Sequence, residues 1–178
     1  MSMVWKRLQS PVLGQRLAGM SELEDSINDA NLRAMSNNAK ARNKGLSKVW
    51  LRNWILEQRV VEDLFGDRLD VRCVVRAGPV LAFLSEQHGI CGQHFEAIWR
   101  ACSGGCHEST RIAIYDVTVN HLLPALQPDQ RLELFSRYVS QTPYNSYTEV
   151  FLQFLKRFTT KALHADETIR KIVNAADS

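Results

Sequence analysis

Cys91-x-x-His94 and, further on, Cys102-x-x-x-Cys106 with His107 beside it are the side chains whose types and spacing could do chemistry. Thiol and imidazole are zinc-ligand types, and a thiol beside an imidazole also begins a nucleophile–base pair. The element that must carry them argues against both. Gln93 to Ala101 places Phe95, Ile98 and Trp99 on one helical face. Cys91 and Cys102 then stand at opposite ends of that helix, roughly 16 Å apart at about 1.5 Å per residue. A single zinc ion holds its ligands at about 2.0–2.3 Å, so no tetrahedral site spans the helix. As a dyad, Cys91 and His94 share one turn with no third group to orient the base. The plainer reading is a helix-leading cysteine and an exposed histidine beside a buried phenylalanine. No catalytic residue, metal or cofactor is assigned.

The chain is 178 residues long, 45% hydrophobic and 23% charged, which is ordinary globular usage and enough for one compact domain or a few stacked repeats. A formal net charge of +3 is small for a protein that neutralises phosphates, so no nucleic-acid partner is expected. The basic run from Arg33 to Arg52 has no interleaved aromatic platform before Trp50 and reads as a solvated linker. No apolar run reaches the length of a membrane span, and Met1 to Arg16 has no apolar core of a secretory leader. Four cysteines without a leader fit a reducing compartment, so the expected location is cytoplasmic.

Apolar residues recur at three- and four-residue spacing from about Ser10 to Ala176, with Pro, Gly, Ser and Asp at the joints, so about eight helices are predicted. Ser10-Pro11 opens the first, with Leu13, Leu17, Met20, Leu23 and Ile27 on one face. A polar stretch from Asn28 to Gly45, carrying Asn37-Asn38, Lys40, Arg42 and Lys44, reads as a mobile connection. Ser47 restarts a helix with Trp50, Leu51, Trp54 and Ile55 inward, running on to Leu64-Phe65. Asp70 opens another through Val71, Val74, Val75, Leu81 and Leu84, kinked at Pro79. Later helices place Ile112, Tyr115, Val119 and Leu122, then Leu132, Phe135, Tyr138 and Val139, on buried stripes. Asn145 or Ser146 caps a long one through Phe158 to Leu163, and Asp166 caps the last.

These helices pair. First helices begin near Val71, Ser109 and Asn145, offsets of 38 and 36 residues, and second helices near Gln93, Pro128 and Asp166, a spacing close to the unit of armadillo- and HEAT-like solenoids. A single hairpin cannot bury its apolar face, so stacking makes the core. The fold class is therefore all-α, an armadillo/HEAT-like stack of helical hairpins, with a plain helical bundle as the alternative. Residues 1–45 are expected to form an N-terminal helix and polar linker, and 46–178 the repeat domain.

Read as a string, the middle carries Trp54-Ile-Leu-Glu-Gln-Arg-Val-Val, Leu81-Ala-Phe-Leu and Ile90-Cys-Gly-Gln-His-Phe-Glu-Ala-Ile-Trp99. His107-Glu108 and Leu126-Gln-Pro-Asp-Gln-Arg-Leu-Glu-Leu-Phe135 follow. This order resembles the helical region upstream of the catalytic domain in very large ubiquitin-specific proteases of the fat-facets type. Leu17-Ala-Gly-Met-Ser-Glu-Leu23 resembles that region's first helix. The likeness covers about Leu8 to Phe135, and Cys102-Ser-Gly-Gly-Cys106 departs from it by being slightly longer than the family's turn. The resemblance implies a segment of a deubiquitinase, a ubiquitin carboxyl-terminal hydrolase. It brings no active site, because the family's Cys and His boxes do not occur here.

The leading expectation is a non-catalytic scaffold that binds protein partners: substrates, adaptors or the catalytic domain. An independent helical-repeat adaptor unrelated to ubiquitin is the alternative. An enzyme with a metal or small-molecule site inside the bundle comes last, since no facing Glu-x-x-His set appears. Partners of a solenoid usually lie along the second helices, whose outward polar positions are expected to include Glu96, Arg100, Arg131, Arg137 and Arg170. Four of these five are basic, which predicts an acidic partner segment and salt-sensitive affinity.

Overall fold

A computed structural model of the chain describes residues 1–35 and 45–176, with side chains up to 164. The connection carrying Asn37, Asn38, Lys40, Arg42 and Lys44 lies outside the described residues, and so does the Arg170 side chain. The described residues are mostly helical, with no strand among them. In order come α1 (Ser2–Leu8), α2 (Leu13–Met35), α3 (Lys48–Glu57), α4 (Val60–Leu64), α5 (Val71–Arg76), α6 (Gly78–Glu86) and α7 (Gly92–Ser103). Helix α8 (Glu108–Val117) runs through a π-helical turn (Thr118–Leu122) into α9 (Leu123–Ala125). Then follow α10 (Pro128–Gln141), a 3-10 turn (Tyr144–Ser146) and α11 (Glu149–Ala176).

The helix ends have local causes. Ser47 Oγ accepts from Trp50 N at 3.1 Å and Asp70 Oδ1 from Arg72 N at 2.9 Å, each satisfying a donor orphaned at a helix start. Arg59, at φ 52°, breaks the expected single helix from Ser47 into α3 and α4. The kink expected at Pro79 is a full break: α5 ends at Arg76, and Gly78 and Pro79 open α6. Pro79 has no N–H to continue the ladder and fits a first turn, where none is needed. Pro124 likewise offers no N–H to the Asn120 carbonyl, and the turn before it widens to π, with Leu123 N bonding Thr118 O.

Three sequence expectations change here. A separate helix at Asp166 does not form, because α11 continues to Ala176 and neither Gly nor Pro interrupts Leu163-His-Ala-Asp-Glu. Ahead of the first expected helix start at Ser10, the N-terminal residues form α1, where Val4 and Leu8 are buried and Trp5 meets Trp54 edge-on at 6.4 Å between ring centres. Trp50, expected inward, is exposed, and Leu51 and Ile55 carry the buried face of α3. Gly19 lets α1 approach α2, since a Cβ there would lie 3.0 Å from the backbone N of Leu8.

The helices pack as two rows. In one, α2 lies on α5, α5 on α8 and α8 on α11; in the other, α4 lies on α7 and α7 on α10. Contacts between α7 and α8, and between α10 and α11, join the rows. This is the armadillo-like stack that the repeat spacing predicts. Its C-terminal core is aromatic. Phe154 stacks on Tyr115 at 4.2 Å and leans on Tyr138 at 4.8 Å, with Phe151 and Phe158 alongside.

Candidate functional site

The row of second helices holds most of the predicted contact residues. Glu96 and Arg100 stand one turn apart on α7, with Arg100 Nε 2.6 Å from Glu96 Oε1. Arg137 of α10 reaches across to the other Glu96 oxygen and lies 3.4 Å from Glu133. Arg100 keeps 73% of its side chain in solvent, while Glu96 and Arg137 keep 25% and 20%. Glu96 and Arg100 also line a groove of about 820 Å³ between α7 and the α4–α5 connection. Its floor includes Phe65, Leu69, Ala97 and Ala101, and Arg59 on its wall pairs with Glu62 at 3.5 Å. Each of these arginines therefore faces a carboxylate of its own chain.

Arg131 is corrected: it points inward, only 6% exposed, and its Nε donates to the Leu123 carbonyl at 3.2 Å. That carbonyl opens the short α9 turn and also accepts from Leu126 N at 3.3 Å, so the guanidinium is a second donor on its other lone pair. The buried stripe of α10 is accordingly Arg131, Leu134 and Tyr138, one residue out of phase with the predicted one, and Leu132 is exposed.

Of the residues with chemical potential, Cys91, His94 and His107 serve at helix starts. His94 is buried rather than exposed, and its Nδ1 accepts from the Cys91 backbone N–H at 3.0 Å, with Cys91 Sγ 3.3 Å away. Because a fixed N–H donor occupies the lone pair of Nδ1, that nitrogen carries no proton to give to the thiol. Moving the thiol proton to Nδ1 would set N–H against N–H, so the geometry opposes a thiolate–imidazolium pair. Burial holds the imidazole below its usual range, against the pull of the Glu62 carboxylate. His107 caps α8, its Nδ1 accepting from Ser109 N at 3.2 Å. Burial pushes the Cys102 thiol far up, beside the Tyr138 hydroxyl at 3.9 Å. Among the described residues, no three His, Cys, Asp or Glu side chains converge as metal ligands. No described helix is long and apolar enough to cross a membrane.

The family model described as the UBP24/USP9X/USP9Y ARM repeat matches residues 1–174. The chain belongs to that ARM-repeat family. Ubiquitin carboxyl-terminal hydrolase puf of Drosophila melanogaster is 26% identical over 178 residues, covering 98% of this chain and 4% of that protein. Ubiquitin carboxyl-terminal hydrolase 34 of Homo sapiens is 25% identical over 154 residues, covering 78% of this chain and 4% of that protein. The ARM-repeat chain thus spans a small fraction of the curated relatives it matches. No solved structure matches it.

The ARM-repeat stack also exposes two residues that the sequence pattern assigned to the core. Val75 on α5 is 58% exposed and Ile112 on α8 is 40% exposed, both on the row of first helices. Val75 is next to fully buried Val74 and Ile112 is two residues from fully buried Ile114, so apolar identity alone could not separate inside from edge.

Proposed function

We propose that this chain is a non-catalytic protein-interaction segment of a large ubiquitin carboxyl-terminal hydrolase, presenting its helical rows to substrates, adaptors or the catalytic domain. The observation that carries the reading is the family match along nearly the whole chain, on a two-row helical stack in which Cys91, His94 and His107 are engaged at helix starts. Four unpaired cysteines support action in the cytoplasm. The face of Glu96, Arg100 and Arg137 is one surface for that role. Its charges are paired with one another, so a partner there must exchange existing ion pairs for new ones, which favours modest affinity.

Two measurements test this. The purified chain should leave a ubiquitin–fluorophore conjugate uncleaved, and turnover that vanishes in Cys91→Ala would overturn the non-catalytic part. Proximity labelling by the chain fused to a promiscuous biotin ligase should enrich proteins that the ligase alone does not. An identical labelled set would remove the binding role.

A further inference from the structure

The row of first helices carries a continuous apolar strip. A cleft of about 290 Å³ between α2 and α5 is lined by Leu17, Val71 and Val75. Val75 also lines the next cleft, of about 350 Å³, which it shares with Ile112 of α8. Ile112 in turn lines a third, of about 100 Å³, with Val150 and Phe154 of α11. Two solvent-exposed apolar side chains thus join three seams into one path over four helices. At about 8–10 Å between helix axes the path is roughly 27 Å long, the length of about 18 residues of helix. Stacking of further repeats would use the ends of the rows and leave this side open.

The charges beside the strip indicate what fits it. Asp116 is the one carboxylate lining these clefts among the described residues, and Arg157 neutralises it at 2.6 Å. Arg72 is matched by Asp70. Arg76 and Lys161 instead bond neutral groups, the Ser21 hydroxyl and the Asn120 amide oxygen, the latter at 2.9 Å. Neither has a carboxylate within ion-pair reach among the described residues. One cation therefore stands on the α5 side of the strip and one on the α11 side, with apolar surface between. We propose that this strip docks a single amphipathic helix of a partner protein, with apolar residues along one face and acidic residues toward both ends. The inference rests on the interaction role proposed above and gives it a surface and a ligand class.

The test uses the purified 178-residue chain as bait for a displayed library of helical peptides about 18 residues long. Enriched peptides should carry an apolar stripe and net negative charge. Val75→Asp with Ile112→Asp should weaken them roughly tenfold by fluorescence anisotropy, with far-UV circular dichroism and thermal melting confirming an intact fold. Should the aspartates lower the melting temperature, Val75→Ser with Ile112→Ser gives the same readout with a smaller loss. Arg76→Glu with Lys161→Glu should also weaken binding and flatten its salt dependence. Enrichment of basic peptides, no enrichment, or affinity that follows Arg100→Glu instead would overturn the assignment. So would self-association of the chain abolished by Val75→Asp and Ile112→Asp, since the strip would then belong to a second copy. Proximity labelling that persists in the Val75→Asp, Ile112→Asp variant would remove the strip while leaving the interaction role standing.

Discussion

The two helical rows differ in how they handle charge. Along the second helices, Arg59, Arg100 and Arg137 meet Glu62, Glu96 and Glu133, with Glu96 serving two arginines at once. Along the first helices, Arg76 and Lys161 flank exposed Val75 and Ile112 and find only neutral acceptors. The row whose arginines and glutamates pair with one another thus offers less uncompensated charge to a partner, and the row with the apolar strip offers more. Counting arginines on a helix face overestimates its pull when each already has a carboxylate one turn away or across the groove.

The sharpest way to break the comparison is to remove what both rows share. Phe154 wedges between Tyr115 of the first row and Tyr138 of the second, so Phe154→Ala should cost about 3–5 kcal/mol in chemical denaturation. A much smaller loss would mean that the rows do not depend on a common core. Next in size, Glu96→Gln leaves half-buried Arg137 without its cross-helix partner and should cost about 1 kcal/mol, shrinking as salt rises. Arg100→Gln, at a mostly exposed group, should cost less than about 0.5 kcal/mol. Equal costs would contradict the view of Glu96 as the joint of the second row.

A smaller effect is expected at His94. Its folded-state affinity for protons is depressed by burial, so the unfolded chain takes up the proton more readily. Stability should therefore fall as pH drops below about 6.5, the unperturbed value. His94→Gln keeps an acceptor for the Cys91 N–H and should flatten that acid limb in urea titrations at several pH values. Identical pH profiles would show that burial does not depress the ring's proton affinity in the folded chain. Smallest of all, Val75→Ser with Ile112→Ser should shift stability by no more than about 0.5 kcal/mol, because both side chains already face water. A loss on the scale of Phe154→Ala would make them core residues and close the strip.

Much of the architecture was legible from periodicity and end chemistry. Ser47, Asp70 and Pro128 sit at helix starts where their side chains or ring suit the first turn, and Leu23, Leu51, Leu84 and Ile98 fall on buried faces. Spacing misled where one residue of rotation mattered. A helix turns about 100° per residue, so Arg131 and Leu132 exchange places with little change in the pattern. It also misled at Asp166, a good cap in isolation that no Gly or Pro forces the chain to use.

The candidate site was legible only as a set of residue types. Local sequence by itself determined that the chain is helical, where most helices begin, and that its units are long enough to stack, because backbone hydrogen bonding and apolar periodicity act over a few residues. Tertiary structure alone decided that Arg131 turns inward to the Leu123 carbonyl, that Glu96 spends its charge on Arg100 and Arg137, and that Val75 and Ile112 meet across a seam. Those outcomes depend on which residue of one helix comes to lie opposite which residue of another. Packing of the whole stack sets that register, and no single segment encodes it.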